Sequence, residues 1–212
     1  MILVNATHLD TDRLEAILRC YAAPWKTDGL HVRIGYTRTT PYSGTCCYAA
    51  KRIRVNIGRA NDYPLPIATH IARPRSSRRS WWRQSYIVEA RDAYELTLLI
   101  FLHELYHWLV RKARRNTRQK EGRCDRFAVR ALVDHFGAVV RDSKGRAVPR
   151  DAWDFQDLEG FVQRARRKRI PRQAKSGAAK SVALRPAARK PMQVIEASRD
   201  PAAARQLLLF ER

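Results

Sequence analysis

Apolar residues at Leu14, Ile17, Leu18 and Tyr21 recur at i, i+3, i+4 and i+7, the stripe of an amphipathic helix, with Asp10 or Thr11 placed to cap it. Pro24 and the Asp28-Gly29 pair end it. The period then shortens to two. Val32, Ile34 and Tyr36 alternate across His31–Thr39, and Ile53, Val55 and Ile57 across Arg52–Gly58, predicting two strands of an antiparallel or mixed sheet. Gly44–Cys46 between them predicts a turn. Residues 59–84, with Pro64, Pro66, Pro74 and many arginines, hold no period and predict a long loop or insertion. Tyr86–Glu89 predicts a short strand.

Asp92 and Glu95 form a capping pair for a helix that runs to about Lys112. That helix is apolar nearly all round, so it belongs in the centre of a domain. Glu121–Phe136 predicts a second helix, with Phe127, Ala128, Ala131, Leu132 and His135 at helical spacing, and Asp151–Val162 a last short one. The predicted class is α+β, one domain over residues 1–162.

Charge changes the picture beyond that boundary. The chain of 212 residues carries 42 Lys+Arg against 20 Asp+Glu, a formal +22. Residues 164–212 hold 14 Lys+Arg and 3 Asp+Glu among repeated Ala, Pro and Ser, so residues 163–212 predict a disordered basic tail. Such an excess attracts polyanions, nucleic acid first. The longest apolar stretch, Leu96–Val110, spans 15 residues and contains two His and a Glu, too short and polar for a bilayer. Met1–Asp12 lacks the basic start and apolar run of a secretory signal. Cys20, Cys46, Cys47 and Cys124 form neither a Cys-x-x-Cys pair nor a disulfide framework. The expectation is a cytoplasmic protein with no membrane partner.

The central apolar helix carries His103-Glu104-Leu105-Tyr106-His107. Residues four apart share a helix face, so His103 and His107 can present two imidazoles to one zinc ion. Glu104 stands beside them, where its carboxylate can take a proton from activated water. Burying three such side chains without a partner would be costly. Zinc needs a third protein ligand, and Val110 and Ala113 stand where a metzincin would have its Gly and third His. The candidates are Glu121, Cys124, Asp125 and His135. Glu121 and Asp125 are four apart on the next helix: one carboxylate can bind the metal while the other takes the second ring N–H of a ligand histidine.

Glu121-Gly-Arg-Cys-Asp125-Arg-Phe-Ala128 resembles the Glu-x-x-Ala-Asp/Asn-x-Phe-Ala pattern of small gluzincins. The resemblance implies Glu121 as third ligand, Asp125 as its support, and a zincin-like fold. The order of elements over roughly residues 10–140 is also similar to SprT-like and Spartan-type proteases, though those take a third His from a downstream His-Gly element. What that resemblance implies is hydrolysis of proteins crosslinked to or trapped on DNA.

Two further motifs point to DNA. In Arg73–Arg83, the residues Arg75, Arg78, Arg79 and Arg83 can neutralise phosphates, and Trp81 and Trp82 can stack on bases, the elements of a surface for single-stranded or non-specific DNA. At the end of the tail, Gln206-Leu207-Leu208-Leu209-Phe210 resembles the bacterial sliding-clamp-binding peptide; Gln206 would be the polar anchor and Leu207, Leu209 and Phe210 the apolar ones. These imply a nucleoid-associated protease. Two other classes stay open: a repressor-cleaving protease of the ImmA/IrrE type, and a non-enzymatic DNA- and clamp-binding adaptor with a structural zinc.

Overall fold

The structure, a computed structural model, describes residues 1–115 and 120–163. The predicted basic tail from residue 164 on, with Gln206–Phe210, lies outside the described residues, while Gln163 closes the last helix. Asp10 caps the first helix, α1 (Thr11–Ala22), accepting from Arg13 N at 2.6 Å, and Leu14, Leu18 and Ala22 turn inward. Ahead of it runs β1 (Ile2–Asn5), too short to declare a period. It joins β2 (His31–Thr37), β3 (Tyr42–Cys47) and β4 (Arg52–Gly58) in one mixed sheet of order β1-β2-β4-β3. The strands β1, β2 and β4 are parallel, and β3 runs antiparallel to β4 along the edge.

Two expectations need correcting. Gly44–Cys46 is no turn but the middle of β3, with Gly44 opposite Val55 and Cys46 opposite Ile53. Its small residues Ser43–Cys47 show little periodicity; pairing with β4 makes the strand. Residues 59–84 are not a plain loop. They hold β5 (Leu65–Thr69), whose Pro66 is tolerated in a two-stranded ribbon, and a small hairpin of β6 (Arg75–Ser76) and β7 (Trp81–Trp82). β5 pairs antiparallel with β8 (Tyr86–Ala90).

Helix α2 (Ala93–Lys112) opens on a reciprocal cap: Asp92 Oδ1 accepts from Glu95 N at 2.8 Å, and Glu95 Oε2 from Arg91 N at 2.8 Å. Every residue from Glu95 to Val110 is buried. This helix packs on the inner faces of β3 and β4, and α3 (Lys120–Phe136) packs on it. The predicted last helix is two short ones, α4 (Arg150–Trp153) and α5 (Leu158–Gln163), anchored by buried Trp153 and Leu158. The architecture is α+β with a small mixed sheet. No helix among the described residues is long and apolar enough to cross a membrane.

Candidate metal centre

One helical turn separates His103 from His107, and both rings are buried, with their Nε2 atoms 3.0 Å apart. From α3, Glu121 Oε2 reaches to 3.3 Å from His103 Nε2 and 3.2 Å from His107 Nε2. Buried Cys124 lies one turn on, and donor atoms of His103, His107 and Cys124 fall within 4.8 Å of one another. The cluster could hold a metal ion. Glu121 makes the tighter triangle, and its side chain, 40% exposed, opens to solvent where Cys124 does not.

Asp125 occupies the other side of His103, its Oδ1 2.7 Å from Nδ1. Its Oδ2 accepts from the backbone N of His70 at 2.6 Å and lies 3.3 Å from His70 Nδ1. Burial alone would raise the Asp125 carboxyl, but His103 and then His70 hold it well below the usual carboxylate range. Burial likewise opposes ionisation of Glu121, and His103 and His107 overcome it. Seen from the ring, burial would push His103 down, yet Asp125 and Glu121 raise it to about 10 in the metal-free chain. The two carboxylates thus keep the cluster anionic enough to favour a cation among them.

Two glycines let the backbone come this close. A Cβ at Gly44 would lie 2.5 Å from Glu104 Oε1 and 2.8 Å from Ile100 Cγ2, so β3 can run beside the buried Glu104 only without a side chain there. A Cβ at Gly122 would lie 2.6 Å from both His70 O and Arg83 Nη1. The segment after β5 is thus fixed to the start of α3. Arg126 Nη1 donates to Ile71 O at 2.8 Å and Arg83 Nη1 to His70 O at 3.0 Å. Past Glu104, the end of β3 and the last turns of α2 border an open groove of about 800 Å³, lined by Cys46, Cys47, Tyr48 and Trp108 among others.

The structure therefore brings His103, Glu104, His107, Glu121, Cys124 and Asp125 together. His135 is elsewhere: it stacks edge-on against Tyr21 at 5.3 Å, about 20 Å along α3 from Glu121. Arg75, Arg78, Arg79 and Trp82 are exposed on the β6–β7 hairpin, with Arg75 paired across to Trp82. Trp81 stands in the same hairpin, opposite Ser76. Arg83 is half-buried and spends a donor on His70 O. Sequence reasoning missed His70 and the two glycines. His70 sits at the end of an unrecognised strand with no motif around it, and only the fold brings it to Asp125. No protein-family model matches the chain, and no curated protein or solved structure matches it either.

Proposed function

We propose that the chain is a zinc-dependent peptidase of the small gluzincin kind, acting on proteins at DNA. The observation that carries the reading is the triangle of His103 Nε2, His107 Nε2 and Glu121 Oε2, with sides of 3.0, 3.2 and 3.3 Å. Tetrahedral zinc with bonds of about 2.0–2.1 Å sets its ligand atoms about 3.3 Å apart, so this donor set fits. Bound zinc would supply Lewis acidity, making water a stronger acid and a carbonyl a better electrophile.

The chain's own residues do the rest. Glu104, adjacent to His103 but turned to Gly44, takes the proton of the attacking water and returns it to the departing amide nitrogen. Water and a peptide bond become a carboxyl group and an amine, with Glu104 restored. Asp125 accepts from His103 Nδ1, which leaves Nε2 as the donor toward the metal side and fixes the ring. The strand β3 is the sheet edge beside Glu104, so an extended peptide can pair with it and lay side chains in the groove by Trp108.

The nucleic-acid part of the proposal rests on the net charge of +22 and on the exposed arginines. The segment Gln206–Phe210 would add a tether to the sliding clamp. A repressor-cleaving peptidase would share the chemistry and lack the need for that segment. Metal analysis of the full-length chain should give about one zinc per molecule. Glu104→Gln should keep that zinc and lose hydrolysis of a DNA-bound protein by about 10²-fold or more. Zinc retained with activity intact would remove Glu104 from the chemistry; a closed site with a fourth protein ligand would favour the adaptor.

A further inference from the structure

The outer face of the four-stranded sheet is built from the polar phase of its strands. His31 and Arg33 of β2 point the same way as Arg52, Arg54 and Asn56 of β4 and as Ser43 and Thr45 of β3. No outward position on the four strands is acidic. Parallel strands are usually covered on both faces. Here β1, β2 and β4 are parallel, yet Ile2 and Val4 are half exposed and Arg33, Arg52 and Arg54 are exposed.

Register sharpens this. His31 lies directly opposite Arg52, and Arg33 directly opposite Arg54, on adjacent strands. Like charges facing each other across a sheet are destabilising. Among the described residues no carboxylate pairs with Arg33, Arg38, Arg52, Arg54 or Arg59, whereas Arg13, Arg19, Arg91, Arg130, Arg146 and Arg150 all have one. At the carboxyl ends of the parallel strands the face deepens into an open groove of about 1020 Å³. Arg33, Arg38, Arg54 and Arg59 line it, with Asn56 and Asn61 between them. Gly35 keeps the floor low, since a Cβ there would meet Asn56 Oδ1 at 3.3 Å, and Arg59 is held over the Tyr36 ring at 4.8 Å. Ligands of open parallel sheets sit outside the carboxyl ends of the strands.

The geometry points to a binding site for the phosphodiester backbone of a single-stranded nucleic acid on this face, gripped by Arg33 and Arg54 with Arg38 and Arg59 at the groove. An anion between Arg33 and Arg54 relieves their repulsion and meets guanidinium donors carried by directly opposed residues of adjacent strands. Four strands at about 4.8 Å spacing make a face about 15 Å wide, suited to one chain lying along it and narrower than a duplex. Residues 164–212 carry a net +11, the wrong sign for a ligand of this face. A lipid surface is flat and would leave the recessed groove unfilled. The inference deepens the DNA part of the proposed function and is independent of its zinc chemistry.

The test uses the full chain and a fluorescein-labelled oligothymidylate, titrated by anisotropy across a salt series. Arg33→Gln with Arg54→Gln should weaken binding by about tenfold or more and lower the log–log salt slope by about 1.4, two phosphate contacts at about 0.7 each. Arg33→Lys with Arg54→Lys, which keeps both charges, should restore the slope and so separate charge from misfolding. An unchanged affinity and slope in the Gln pair would overturn the site. So would a Gln pair that loses binding only to vesicles of phosphatidylserine in phosphatidylcholine. Zinc content and the effect of Glu104→Gln should be the same in both backgrounds; their failure would strike the peptidase reading alone.

Discussion

The two faces of the sheet treat charge in opposite ways. On the inner side, under α2 and α3, charged groups meet carboxylates or, for fully buried Arg126, the oxygens of Ile71 and Gln156. His103 lies between Asp125 and Glu121, and Arg130 donates to Asp154 at 2.6 Å, to Glu159 and to Gln156 O. On the outer side, Arg33 faces Arg54 and no carboxylate of the described residues pairs with either. A buried charge must be paired, because the desolvation penalty of an isolated one exceeds what a fold can bear. An exposed charge need not be, so its neighbours are free to serve a partner. The inner face thus gathers a cluster that could hold a metal ion, and the outer face presents the unpaired arginines on which the proposed polyanion site rests.

The largest expected effect concerns the inner face. Glu121→Ala removes the nearest carboxylate from His103 and His107 and should lower zinc affinity by more than about 100-fold, beyond the cost of losing an outer hydrogen-bond partner. Competition with a chelating dye measures it. Cys124→Ala should leave zinc affinity within about threefold, because Cys124 stays outside the tighter triangle. If instead the cysteine variant loses the metal and the Glu121 variant holds it, the ligand set is His103, His107 and Cys124, and the Glu121 triangle is wrong.

A smaller effect is expected at Asp125. Asp125→Asn should weaken zinc binding by about 10–100-fold without removing a ligand. It also has a signature in the metal-stripped chain. There, against the lowering effect of burial, that contact together with Glu121 raises His103 from 6.5 to about 10. A raised folded pKa stabilises fully below the unfolded value and loses that stabilisation as pH climbs through the folded one. The stripped chain should therefore melt progressively lower between pH 6.5 and about 10, and Asp125→Asn should flatten that decline. A slope unaltered by the substitution would show that Asp125 does not hold the imidazolium.

The helical half of the molecule was legible in the sequence because its signals are local. Caps at Asp10 and Asp92, the apolar run of α2 and the His-Glu-x-x-His spacing each lie within a few residues of one another. The carboxylates on α3 could be narrowed to one face by counting, and the resemblance to small gluzincins put Glu121 ahead of Asp125; the fold sets the two on opposite sides of the His103 ring, which no counting gives. The sheet was less legible. The strands β1, β3 and β5 are short, or small and polar, and become strands through neighbours distant in the chain. The Arg33–Arg54 pair was invisible for the same reason: β4 skips over β3 to reach β2, and no reading of either segment alone gives that register. Alternation showed only that both residues face away from the core.

The smallest effect separates the two faces most cleanly. Arg54 sits between Arg33 on one side and Thr45 on the other. Replacing it by Thr removes a like-charge pair, adds a cross-strand Thr–Thr contact and places a β-branched residue in a strand. Each change favours the fold, so Arg54→Thr should stabilise the chain by about 0.2–0.5 kcal/mol at low salt. Truncating Arg130, which would take from largely buried Asp154 one of its two guanidinium partners and leave only Arg150, acts in the opposite direction. Salt distinguishes the sources of the gain. Repulsion between exposed charges is screened within about 10 Å at 0.1 M and about 3 Å at 1 M, so its share should vanish in a melt at high salt, while the packing share persists. Arg54→Lys keeps the charge and should show no gain at either ionic strength. A residue that lowers stability where it stands, and whose removal costs nothing but nucleic-acid affinity, is retained for binding. Were Arg54→Thr to destabilise the chain instead, the guanidinium would have to be making a structural contact, and the outer face would be paired like the inner one.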